Sequence, residues 1–268
     1  MCETGKNLPG MIDIQKNLFS LPQWDYPTYT PGETVALFIP CYVDQFYPAI
    51  GRATVQLLEE RNIPLTYPED QTCCGQAAFN SGYWDDAKKV IAQFERAFHG
   101  HKWIVTPSGS CAAMCRVFFE EAMPGSEAAK LGKRVFDLSE FLVNILGVTT
   151  TGAFFPHKVT MHIGCHSRRE LGLVDAPMTL LHSIRGLEYV ELPNKEECCG
   201  FGGTFSVKMA GTSLAMGGKK IENILQTGAD FVATTDISCA MHFEGMMRHD
   251  PAIKHVPVMH IAELLVKT

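Results

Sequence analysis

The chain repeats itself, and the repeat limits what it can fold into. Two adjacent cysteines followed by glycine occur at Cys73-Cys74-Gly75 and again at Cys198-Cys199-Gly200. Three other features keep the same order around each copy. The apolar run VALFIPC ends at Cys41, and VTMHIGC ends at Cys165. WIVTPSGSC ends at Cys111, and FVATTDISC ends at Cys239. RVFDLSEFLVNILG and VPVMHIAELLVKT then match with Asp137 against His260. The four offsets, taken as Cys41 to Cys165, Cys73 to Cys198, Cys111 to Cys239 and Asp137 to His260, are 124, 125, 128 and 123. A near-constant offset over four ordered features marks an internal duplication. The halves span residues 33–150 and 157–268, joined near GVTTTGAFFPHK. Residues 1–32 stand outside the repeat, as an extension packed over a lobe or as a loose arm.

Each half alternates strand and helix. VALFIP and KWIVTP are short apolar runs rich in β-branched and aromatic residues, which suits buried strands. IPLTYP reads as a further short strand. YPAIGRATVQLLEER has apolar residues spaced three and four apart, and WDDAKKVIAQFERAFHG opens on acids and closes on glycine; both patterns predict helices. CAAMCRVFFEEAM is the next helix. The second half follows with KVTMHIG, DAPMTLLHSIRG, LEYVELP, a long helix within GTSLAMGGKKIENILQTG, and DFVATT. Strand–helix alternation implies α/β lobes with mostly parallel sheets. Cys41, Cys111, Cys165 and Cys239 each follow a strand, and ligands of open α/β sheets bind outside the carboxyl ends of the strands. The helix starts there offer free N–H groups and a positive dipole end, favourable to thiolates.

The net charge is −6 and the pI about 5.9, so no basic footprint for nucleic acid is present. The first residues lack a basic segment followed by an apolar one, and no apolar run is long enough for a membrane span. The expected compartment is the cytoplasm, where ten cysteines are not expected to form structural disulfides. A lone buried cysteine is usually a small apolar residue; two matched sets of four are not accounted for in that way. Zinc takes paired ligands such as C-x(2–4)-C, which adjacent cysteines fit poorly. An iron–sulfur cluster is larger and accepts thiolates spread around it, and a glycine after the pair allows close backbone approach. The expected cofactor is an iron–sulfur cluster, of the 4Fe-4S kind, with zinc as an alternative or substitute metal.

The expected ligands are Cys41, Cys73, Cys74 and Cys111 in one half, and Cys165, Cys198, Cys199 and Cys239 in the other. Cys115 and His242 are two further candidates, each set against a plain reading as a core thiol and an ordinary helix histidine. Cys111 and Cys115 lie one turn apart on a helix and suit either a transient dithiol or a shared cluster. His162, His166, Arg168 and Arg169 flank Cys165. They read as donors or positive charge for an anionic cluster or a carboxylate substrate, or as a solvated helix start. GFGGTF and AMGGKK miss the spacing of nucleotide-binding loops.

The pattern C-x31-CCG-x35-C followed by C-x32-CCG-x38-C resembles the cysteine-rich CCG domain. That domain occurs twice in the B subunit of heterodisulfide reductase and in the iron–sulfur subunit of glycolate oxidase. TCCGQAAFNSGY, TPSGSC, CCGFGGTFSVKMA and VMHIAELL are most similar to its short, stand-alone lactate-utilisation branch, over residues 34–268. The resemblance implies two α/β halves related by a pseudo-twofold axis. It also implies a role in a three-component system that oxidises L-lactate to pyruvate. The implied partners are a ferredoxin-type iron–sulfur subunit and a third small subunit, with electrons passing on to a carrier. Neither half has the closing C-x-x-C that supplies a fifth cysteine per site in heterodisulfide reductase with its non-cubane clusters; four thiolates per site suffice for an ordinary cluster. Two other functions fit the same residues: a heterodisulfide-reductase-like thiol/disulfide oxidoreductase, for which Cys115 is the main support, and a non-catalytic metal-binding module.

Overall fold

The computed structural model describes residues 21–268. Of the extension expected over 1–32, residues 1–20 lie outside the described residues. The rest crosses both halves: Trp24 Nε1 donates to the Leu171 carbonyl at 2.9 Å, and Tyr26 donates to Glu140 at 3.0 Å.

The first half builds a four-stranded sheet from β1 (Val35–Leu37), β2 (Leu65–Thr66), β3 (Trp103–Thr106) and β4 (Val135–Asp137). The second builds its counterpart from β5 (Lys158–His162), β6 (Glu188–Tyr189), β7 (Phe231–Thr234) and β8 (Val258–His260). Strand orders are β2-β1-β3-β4 and β6-β5-β7-β8, and every pairing is parallel. The expected α/β fold of two similar lobes is what forms. β1, β3 and β4 are buried throughout, as strands covered by helices on both faces must be.

Helices Pro48–Glu59, Trp84–Phe98 and Ala210–Thr227 occupy the predicted segments. Two strands were not foreseen. β4 and β8 are three residues each, too short to show periodicity, and they lie inside the matched RVFDLSEF and VMHIAELL blocks. The expected IPLTYP and LEYVELP strands shrink to two residues at the sheet edges. The helix from Cys111 is interrupted by a π turn over Met114–Phe118.

The lobes share one core. Val35 and Leu37 of β1 belong to the same apolar cluster as Val159 and Met161 of β5. Helix Ile261–Leu265 of the second lobe packs on Pro48–Glu59 of the first. Asp175–His182 of the second packs on Leu138–Glu140 and the turn after it in the first. The second pair repeats the first with the lobes exchanged, which is the effect of a pseudo-twofold axis. Where the lobes meet, Gly109 lies so close to Ser167 that an added Cβ would clash with the serine Oγ.

Candidate metal centres in the cleft between the lobes

In each sheet the chain leaves the first strand in one direction and the third in the other. That reversal leaves a crevice beyond the strand ends, where α/β sheets bind ligands. Cys41 follows β1 and opens helix Cys41–Phe46; Cys111 lies in helix Gly109–Ala113 just past β3. Cys165 and Cys239 hold the corresponding places in helices Cys165–Arg169 and Ile237–His249. Ser108 caps the first of the two later helices, accepting from Cys111 N–H at 3.4 Å, and Asp236 caps the second, accepting from Ser238 N–H at 3.1 Å.

The CCG turns bring the remaining thiols in. Gly75 and Gly200 have φ of 86° and 90°, a left-handed conformation that glycine adopts without strain. The turn aims the Gly75 N–H at Cys73 Sγ and the Gly200 N–H at Cys198 Sγ, both at 3.4 Å. In the first lobe Gln71 anchors this loop to the end of β1. It accepts from Ile39 N–H at 2.8 Å and donates to the Leu37 carbonyl at 3.1 Å.

The sulfurs meet. Cys41 and Cys73 are 3.9 Å apart and Cys74 and Cys111 3.5 Å; Cys165 and Cys198 are 3.9 Å apart and Cys199 and Cys239 3.1 Å. All nine described cysteines are free thiols, and the eight of the two sets line a single cavity between the lobes. Cys74, Cys111, Cys199 and Cys239 form its buried floor, while Cys41 lies at the exposed rim.

The first cysteine of each CCG pair is the acidic one. Hydrogen bonding from Cys41, and then from Cys74, brings Cys73 down to about 3, and the Gly75 N–H helps. Cys165 and Cys199 bring Cys198 down to about 2 in the same way. Cys41 and Cys165, the partners in these contacts, are pushed up. Each lobe thus holds a thiolate whose neighbours lend it their protons. That is the arrangement a soft metal centre replaces when it binds and releases those protons. On donor type, number and convergence, the residues fit such a centre.

The two further candidates stand apart from this convergence. Cys115 is fully buried in the π turn, and burial pushes its thiol well above the usual range. His242 turns its Nε2 to Ser213, 3.4 Å from the carbonyl oxygen and 3.5 Å from Oγ. His166 lines the cleft and pairs with Glu170 at 3.3 Å. Arg168 is buried beside Glu196 at 3.7 Å, while Arg169 is exposed. His162 is no part of a solvated helix start. It ends β5, is 1% exposed, and burial takes it down to about 3. Its ring, Cys199 Sγ and Cys239 Sγ offer ligand atoms within 4.8 Å of one another. The signal for it in the sequence is the mismatch with Phe38, its counterpart three residues before Cys41.

The family model of the cysteine-rich CCG domain matches residues 35–116 and 159–244. The chain belongs to the CCG family. Among curated relatives, Lactate utilization protein A of Geobacillus thermodenitrificans (strain NG80-2) is 46% identical over 235 residues, covering 86% of this chain and 98% of that protein. Lactate utilization protein A of Bacillus subtilis (strain 168) is 44% identical over 236 residues, with the same coverage of 86% and 98%. Among solved structures, a hypothetical protein from Helicobacter pylori aligns with a TM-score of 0.59 at 13% identity, over 98% of this chain and 55% of that one. At that identity the likeness is one of fold.

Proposed function

We propose that this protein is an iron–sulfur electron-transfer subunit of a cytoplasmic complex that oxidises L-lactate, or a related 2-hydroxy acid, to the 2-oxo acid. Cys41, Cys73, Cys74 and Cys111 would hold one centre, and Cys165, Cys198, Cys199 and Cys239 the other. The observation that carries the reading is the opening of two matched sets of four thiols onto one cleft. The names of the relatives support the lactate system. A bound 4Fe-4S cluster supplies one-electron redox chemistry. The chain's own part is to present thiolates at helix starts, to direct the Gly75, Gly200 and Phe201 N–H groups at sulfur, and to keep water from the buried floor.

Partner docking is read from the cleft mouth. Phe201, Gly202 and Asn80 line it. Beside it Thr204 and Ser81 hydrogen-bond between the lobes at 2.7 Å. Tyr83, Trp84, Val207 and Met209 around them are large, apolar and exposed. That surface suits a ferredoxin-type subunit and the third small subunit. The thiol-reductase alternative rests on Cys115, whose complete burial gives a disulfide substrate no approach.

Anaerobically purified protein is expected to contain iron and acid-labile sulfide for two centres and to give a cluster EPR signal on reduction. Cys74→Ser and Cys199→Ser are each expected to remove one centre. Protein without iron or sulfide when so prepared, or normal lactate-dependent electron flow in a complex lacking this chain, contradicts the proposal.

A further inference from the structure

The two sites share their thiols but not the residue behind them. Phe38 and His162 hold equivalent positions, each three residues before the cysteine that follows the first strand of its sheet. Phe38 packs edge-on against Phe94 and Phe98, at 5.1 and 5.6 Å between ring centres. His162 fills the same kind of slot, edge-on to Phe243 at 5.2 Å. An imidazole there carries two polar nitrogens that phenylalanine does not, and neither has a hydrogen-bond partner. Burying polar atoms without partners is costly. The counterpart in the first lobe shows that the fold needs only an aromatic ring at this point.

Beside His162 lie the Cys199 and Cys239 sulfurs. Metal–nitrogen and metal–sulfur bonds of about 2.1 and 2.3 Å set the two ligand atoms up to about 4.4 Å apart. Separations within 4.8 Å bring the imidazole and both sulfurs within reach of one metal centre after a side-chain shift. His242, the histidine closer to Cys239 in sequence, is engaged by Ser213 instead.

We propose that His162 is an imidazole ligand of the second centre, so that the two centres differ: sulfur alone in the first, sulfur with one nitrogen in the second. This rests on the reading that the cysteines hold iron–sulfur clusters. An imidazole nitrogen added to the thiolates gives the second centre a ligand that the first lacks, so the two centres differ in reduction potential.

The test is pulsed EPR of the reduced, anaerobically prepared full chain, in natural-abundance and 15N-histidine-labelled forms, with a potentiometric titration. The expected result is strong histidine nitrogen coupling on one of two centres, changed by the label. His162→Phe, which copies the first lobe, is expected to abolish the coupling and shift the potential of that centre alone. Two reduced clusters with no histidine coupling in the labelled wild-type chain would overturn this inference and leave the iron–sulfur reading standing; that arm needs no variant to fold. Protein lacking iron and sulfide would overturn both.

Discussion

At Gly200 an added Cβ would lie 2.7 Å from the Ser213 carbonyl oxygen and 2.8 Å from Met216 Cβ, whereas at Gly75 nothing comes nearer than 3.6 Å. Both residues are left-handed, so alanine is strained at either. Gly75→Ala is expected to cost about 1–2 kcal/mol from the backbone alone. Gly200→Ala is expected to cost about 3 kcal/mol or more, since overpacking adds to the strain. Denaturant unfolding of the metal-free protein under reducing conditions measures both. A second residue-level expectation concerns His260, which burial takes down to about 4 from an ordinary value near 6.5. Below pH 6.5 the unfolded chain binds a proton there that the folded chain refuses. Its contribution is therefore present above pH 6.5 and lost as the pH falls towards 4, by at most about 1.4 kcal/mol per pH unit. The difference in unfolding free energy between wild type and His260→Asn, followed from pH 7.5 to 4.5, is expected to move in that direction; asparagine keeps an acceptor for the cap. The thiols were legible at this scale because each occurs twice. His162 was legible only as a neighbour of Cys165, because an imidazole replacing a phenylalanine ring leaves the apolar pattern of the strand intact.

The matched Asp137 and His260 turn out to be the same structural device, made from different side chains. Each ends a strand and starts a helix with a capping box. Asp137 Oδ1 accepts from Ser139 N–H at 2.8 Å while Glu140 accepts from Asp137 N–H at 3.2 Å. His260 Nδ1 accepts from Ala262 N–H at 3.2 Å while Glu263 accepts from His260 N–H at 3.1 Å. The helices Pro48–Glu59 and Trp84–Phe98 were readable because several turns of apolar spacing declare them. β4 and β8 were not, because a run of three residues looks the same in a strand as in a helix. Glu140 has a second duty: both its oxygens take Arg116 Nη1, at 2.6 and 2.7 Å, with both side chains buried. Trp24 covers the guanidinium at 3.9 Å. Removing one member of a buried ion pair leaves the other uncompensated, so Glu140→Ala is expected to cost about 3–5 kcal/mol. Arg116→Met with Glu140→Met is expected to cost less than Glu140→Ala alone, as read by thermal unfolding.

Across the whole molecule, the duplication made the two-lobed α/β plan readable, but not how the lobes meet, since contacts between halves leave no period in a sequence. The interface is tightest at Gly109 and Ser167. Gly109→Ala is expected to destabilise the protein by about 1–3 kcal/mol through overpacking. Ser167→Gly, which removes the Oγ and Cβ that crowd it, is expected to return part of that loss in the double variant, a coupling read by a double-mutant cycle. At the cleft mouth, Val207→Glu with Met209→Glu is expected to slow electron transfer to the partner subunits severalfold while leaving iron content unchanged, as measured by stopped-flow reduction. Among the described residues no helix is long and apolar enough to cross a membrane.

Gly109 has its counterpart in Ile237, by the same offset that relates Cys111 to Cys239. A second lobe mated with its own twin would drive that branched side chain into Ser167, the place where only a hydrogen now fits. By this contact the second lobe is shaped to meet the first lobe and not a copy of itself.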